Sequence, residues 1–196
     1  MPKLSDRVQT FTDSVIRRMT RISDEHGAIN LSQGFPDFDP PKPILDALAK
    51  VAYEGPHQYS VTYGAENLRE ALARKASKAM QREIDPETQV VVTCGGTEAM
   101  MGVVMSICNP GDKIMVFSPF YENYSADAIL SGAEPIFIPL VPPTFEFDIN
   151  LVEEGFKQGA RAIIVCNPSN PCGKVFTEEE LLAIGKLAIK YDAFVV

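Results

Sequence analysis

Five short apolar runs, rich in β-branched residues, recur through the second half of the chain, and stretches of helical length and spacing separate them. No other feature limits the fold as strongly, because strands joined through helix-length crossovers pair in parallel within one sheet. The runs are residues 89–93 (QVVVT), 113–117 (KIMVF), 135–140 (PIFIPL), 162–166 (AIIVC) and 193–196 (AFVV). They are continuously apolar rather than alternating, the pattern of strands covered on both faces. Between them, a helical stretch over 97–108 stops at Asn109-Pro110-Gly111, another over 121–130 is closed by Gly132, and Asp148 stands as N-cap ahead of Leu151, Val152 and Phe156 on one helical face. Thr177 and Glu180 form a capping box opening a helix that runs to about residue 190. The expected fold class is α/β, with a mostly parallel sheet and helices on both faces.

The first half has a different texture. Residues 1–27 are polar with a weak helical stripe of Val15, Ile16, Met19 and Ile22, and residues 31–43 carry the Gly, Pro and Asp of a loop. Residues 43–53 and 67–82 have helical spacing, and an aromatic-bearing loop, 55–64, lies between them. The last six residues, Tyr191-Asp192-Ala193-Phe194-Val195-Val196, stop inside an apolar strand with no polar cap. A free end of that kind exposes a pairing edge, so the expectation is a piece of a longer protein with a sheet incomplete at its C-terminus.

Composition removes several function classes. Eighteen Lys and Arg against 26 Asp and Glu give a net charge of −8, and no basic run exists, which speaks against nucleic acid as a partner. The four cysteines form no C-x-x-C pair and there are two histidines, so neither a metal centre nor a disulfide framework is expected. No signal-like apolar core opens the chain and no run is long enough to span a membrane. The expected setting is cytoplasmic and reducing, with no membrane partner.

Three turns at expected strand ends carry chemistry. Thr93-Cys94-Gly95-Gly96-Thr97-Glu98 opens a helix, where backbone N–H groups and the dipole converge on an anion, glycines permit close approach and a hydroxyl adds a donor; a plain β–α turn is the alternative. The spacing is neither G-x-G-x-x-G nor a P-loop, which disfavours dinucleotide and ATP sites. Ser118-Pro119-Phe120-Tyr121-Glu122-Asn123-Tyr124 offers an aromatic face, unless Phe120 and Tyr121 both serve as core. Asn167-Pro168-Ser169-Asn170-Pro171-Cys172-Gly173 is a stiff loop able to fix an Asn170 amide, or ordinary turn chemistry. Three such loops on one sheet edge outline a pocket with an anion site, a stacking face and an oriented amide.

In order and spacing these turns, with Leu31-Ser32-Gln33-Gly34-Phe35-Pro36-Asp37-Phe38 and Gln58-Tyr59-Ser60-Val61-Thr62-Tyr63-Gly64, resemble the N-terminal portion of the pyridoxal-phosphate-dependent aminotransferases of fold type I, class I/II. The likeness runs from about residue 28 to the last residue, and QGFPDF (33–38) is similar to the kynurenine and glutamine transaminase or aspartate aminotransferase version. The resemblance implies pyridoxal 5′-phosphate as cofactor, with Gly96, Thr97 and Glu98 on its phosphate, Tyr121 stacked on its ring and Asn170 on its phenolic oxygen. It implies Gly34 near the substrate carboxylate and Tyr59 reaching the phosphate of a neighbouring subunit, hence a homodimer with shared active sites. It further implies residues 1–42 as an N-terminal arm and small-domain segment, and 43–196 as the N-terminal part of the large cofactor-binding domain.

The implied activity is transfer of an amino group from an amino acid to a 2-oxo acid. The family's Schiff-base Lys, its acid on the pyridine nitrogen and its carboxylate-binding Arg all fall beyond Val196, so no catalytic residue is expected within the chain and these residues alone are expected to be inactive. Lys113, Lys174 and Lys186 lack the Schiff-base context. A C–S β-lyase of the same fold and an inactive dimerising or cofactor-binding fragment are the rival readings; a NAD-binding domain lacks its glycine motif.

Overall fold

Four of the five apolar runs become strands in a computed structural model, which describes residues 2–11, 13–55 and 57–196. Met1, Thr12 and Pro56, which fall in the expected N-terminal segment and aromatic loop, lie outside the described residues. In chain order the elements are a 3-10 helix (Asp6–Thr10), helices α1 (Val15–Glu25), α2 (Lys42–Glu54), α3 (Glu66–Met80) and α4 (Gly95–Ile107), strand β1 (Lys113–Ser118), α5 (Asn123–Leu130), β2 (Glu134–Pro139), α6 (Ile149–Lys157), β3 (Ala160–Ile164), α7 (Glu178–Lys190) and β4 (Phe194–Val195). Two compact units result, one of residues 1–12 and 94–196, the other of residues 13–93.

In the first unit the strands pair in parallel in the order β2-β1-β3-β4. Successive residues of β1 point to opposite faces, as a pleated strand requires. Met115 and Phe117 join Val152, Phe156, Ile163 and Ile184 in one core, against α6 and α7. Ile114 and Val116 join Val104, Ala128, Ala162 and Ile164 in the other, against α4 and α5. That is why β1 is apolar from Ile114 to Phe117: each face has its own helical layer. The expected α/β class with helices on both faces is what the chain forms.

The helix starts follow the sequence signals. Asp148 caps α6 by accepting from the Asn150 amide at 2.9 Å. At α7 the Thr177 hydroxyl accepts from Glu180 N–H, and the Glu180 carboxylate accepts from Thr177 N–H at 2.8 Å.

The run QVVVT does not become a strand, correcting the expectation for residues 89–93. β-branched composition suits a pleated backbone, but a strand exists only through its ladder. Here Gln89 N–H donates to Asp85 C=O at 3.0 Å within a turn and Val92 N–H donates to Tyr63 C=O at 2.9 Å, isolated bonds rather than the rungs of a ladder. Strand β3 also sits two residues earlier than expected, because its register on β1 starts at Ala160.

The second unit is organised by Arg69 on α3, 4% exposed. Its Nε donates to the Gly64 carbonyl at 3.0 Å, and Nη1 donates to the Pro86 carbonyl at 2.6 Å and pairs with Glu87 at 2.8 Å. Gly64 has φ +107, and a Cβ there would meet Val92 Cγ2 at 2.5 Å, so the position tolerates no side chain.

Asp127 on α5 is 3% exposed and its Oδ2 has no hydrogen-bond partner. Burial holds its carboxyl above the usual carboxylate range. The native state therefore keeps this proton more tightly than the unfolded chain does, and stability falls as pH rises from the ordinary carboxylate pKa to the raised one. Asp127→Asn removes the charge at nearly constant shape. A gain on the order of 1 kcal/mol at neutral pH, vanishing in acid where both states are protonated, is expected from urea unfolding at the two pH values.

Candidate functional site

The sheet order creates a crevice. From β1 the chain turns into α5 on one face, whereas from β3 it proceeds to α7 on the other, so the loops following these adjacent strands part company at their C-terminal ends. Crevices at such switch points are where open α/β sheets hold ligands. The loop after β1 supplies Pro119 and Phe120 to this cleft and the first turn of α5 supplies Tyr124, while the loop after β3 supplies Cys166, Ser169 and Asn170.

Helix α4 starts beside the first of these loops. The Asn123 side-chain amide donates to Thr97 Oγ1 at 2.9 Å, tying the glycine turn to the β1–α5 loop. Gly95 has φ +82, and a Cβ at Gly95 or Gly96 would meet nothing within 4 Å, so open space lies before the helix N-terminus. Glu98 folds back so that its carboxylate accepts from the Cys94 N–H, a cap that the resemblance, which puts Glu98 on the phosphate, does not imply. First-turn N–H groups beyond those a cap satisfies, the dipole and the Thr97 hydroxyl form a donor set suited to an anion.

The two aromatics of the second loop separate. Phe120 stacks on Phe137 with centroids 5.2 Å apart and packs against the α4–α5 core. Tyr121 stays out of both cores, its ring edge-on to Tyr124 at 5.8 Å and its hydroxyl accepting from Asn123 at 3.2 Å. Burial and the neighbouring Cys166 thiol push the Tyr124 phenol up to about 12, so it stays protonated across the neutral range.

The third loop is closed on itself. Ser169 N–H donates to Lys174 C=O at 2.8 Å, Gly173 N–H donates to Ser169 C=O at 2.7 Å, and Asn167 Oδ1 accepts from Phe176 N–H at 3.1 Å. Asn167 is thus a structural member of the loop, while Asn170 is exposed on the cleft. Lys174 is tied to Glu180 at 2.9 Å over the Phe176 ring, and no lysine lines the cleft among the described residues.

Gly96, Thr97, Glu98, Tyr121 and Asn170 all belong to the unit that carries the sheet. Gly34 and Tyr59 belong to the other unit, Gly34 with open space around it and Tyr59 95% exposed. Asn123, Tyr124 and Ser169 were not foreseen as site residues. Their only sequence signal was position, within a few residues of Tyr121 and Asn170.

The family model "Aminotransferase class I and II" matches residues 26–196. A probable N-succinyldiaminopimelate aminotransferase of Mycobacterium tuberculosis is 34% identical over 97% of this chain and 48% of its own length. Kynurenine–oxoglutarate transaminase 3 of Mus musculus is 32% identical over 99% of this chain and 45% of its own. The solved N-succinyldiaminopimelate aminotransferase of Mycobacterium tuberculosis superposes with a TM-score of 0.91 at 33% identity, covering 98% of this chain and 51% of that one. The chain thus spans about half the length of the curated relatives it matches.

Proposed function

The chain belongs to the class I and II aminotransferases, and on that premise we propose that it supplies the cofactor-gripping half of a transaminase moving an amino group from an amino acid to a 2-oxo acid. What supports this reading is a chain of contacts: Asn123 ties the glycine-opened start of α4 to the Tyr121 hydroxyl, and Tyr121 lies edge-on to Tyr124, which lines the β1/β3 crevice with the exposed Asn170. Their donors fit a flat heteroaromatic ring bearing a phosphate and a phenolic oxygen, which is pyridoxal 5′-phosphate.

Gly96, Thr97 and Glu98 hold the phosphate through the first turn of α4, Tyr121 covers the ring, and Asn170 donates to the phenolic oxygen. The bound cofactor supplies the electron sink for bond cleavage at the substrate Cα. The protein's residues here bind and orient: the protonated Tyr124 and the self-closed 167–174 loop fix the walls on either side. In the same reading Gly34 borders the substrate carboxylate, and Tyr59 reaches the phosphate bound by a second copy in a homodimer with shared active sites. Residues 1–42 are an arm and small-domain segment and 43–196 the N-terminal part of the large domain. A cytoplasmic setting accords with the reading, and among the described residues no helix is long and apolar enough to cross a membrane.

The test uses protein expressed from its complete coding sequence, supplied with pyridoxal 5′-phosphate, an amino acid and 2-oxoglutarate. Formation of glutamate supports transamination; thiol and ammonia release from a cysteine conjugate without glutamate would identify the lyase instead. Asn170→Ala should raise the pH midpoint of the bound cofactor's visible absorbance by up to about one unit, because the anionic oxygen loses a hydrogen bond. An unchanged titration removes Asn170 from that role.

A further inference from the structure

Asn123 is the residue through which the phosphate cradle and the stacking ring are joined. Its Nδ2 carries two hydrogens, and the structure directs one to Thr97 Oγ1 at 2.9 Å and the other to Tyr121 Oη at 3.2 Å. A hydroxyl owns a single proton. When its oxygen accepts from Asn123, that proton must be donated away from Asn123. At Thr97, in the first turn of α4, that leaves the hydroxyl proton for another acceptor, and a phosphate bound at the turn would be one.

A threonine hydroxyl without such an anchor rotates among several partners, including the carbonyl one turn back. Fixing the rotor before the ligand arrives removes an ordering cost from binding. The bond to Tyr121 Oη acts in the same sense on the ring: with the edge-on contact to Tyr124 at 5.8 Å, it fixes the plane that Tyr121 offers. We propose that Asn123 is a positioning residue that orients the Thr97 hydroxyl as a donor to the cofactor phosphate while tethering the Tyr121 ring. The proposal rests on the reading of this cleft as a pyridoxal 5′-phosphate site.

The experiment measures, by equilibrium dialysis on protein from the complete coding sequence, the ratio of the dissociation constants of pyridoxal and pyridoxal 5′-phosphate. That ratio isolates the phosphate's contribution, since both ligands share the ring. Asn123→Leu, and Asn123→Ala as a second variant should the first fail to fold, are expected to lower it about tenfold. In a Thr97→Val background the same substitutions should leave the ratio unchanged, because the hydroxyl through which Asn123 acts is gone. A ratio unaffected in the Thr97 protein, or lowered equally in both backgrounds, overturns the proposal. A wild-type ratio of one overturns the cofactor reading itself, and the proposal with it.

Discussion

Gly96→Asp should make the protein harder to unfold and, at the same time, roughly a hundredfold weaker for pyridoxal 5′-phosphate. Gly96 is the second residue of α4, exposed, and a Cβ there meets nothing within 4 Å, so the new side chain fits without displacement. Removing a glycine from a helix stabilises it by about 0.5–1 kcal/mol. A carboxylate in the first turn adds about 0.3–1 kcal/mol through the helix dipole. Against a phosphate the sign reverses: two negative charges about 4 Å apart repel by ~1 kcal/mol in water and ~4 kcal/mol at a protein surface. Thermal unfolding without ligand and dialysis with it read the two effects separately. Equal affinity in the variant would remove the phosphate from the α4 turn.

Arg69→Leu should destabilise the protein by about 2–4 kcal/mol. The guanidinium donates to two carbonyls, of Gly64 and Pro86, from a position 4% exposed, and Leu leaves both without their partner. The Glu87 pair adds little, because Glu87 is 64% exposed. Arg69→Lys should recover less than half of the loss, since one ammonium cannot serve acceptors met by Nε and Nη1 along different directions. Urea unfolding gives the magnitude, and proteolysis within the 57–64 loop, which Arg69 anchors at Gly64, should quicken. A loss below about 1 kcal/mol would mean that water replaces the guanidinium at both carbonyls.

The centre of the sheet was legible because it is covered on both faces: KIMVF and AIIVC show no alternation, and the structure places consecutive residues of β1 in different cores. Capping chemistry at Asp148 and Thr177 was equally local, a matter of three or four residues. QVVVT misled because strand propensity says nothing about whether a partner strand is at hand. The site residues Thr97, Tyr121 and Asn170 could be placed on turns, but the Asn123 bridge spans 26 residues and depends on how α4 meets α5. Arg69 looked like one more polar position on an amphipathic helix. Its burial comes from acceptors five and 17 residues away, which no periodicity records.

The division of the sheet into two separately packed layers has a consequence for how grip and orientation can evolve. The α4 turn proposed to hold the phosphate, and Tyr121 through its contact with Tyr124, lean on the layer of α4 and α5, while the loop bearing Asn170 runs into α7 on the opposite layer. The crevice is thus a vice whose jaws are mounted on different blocks. On the proposed reading, repacking beneath one jaw retunes ring tilt or phosphate hold while the other keeps its setting, two independent adjustments for one ligand.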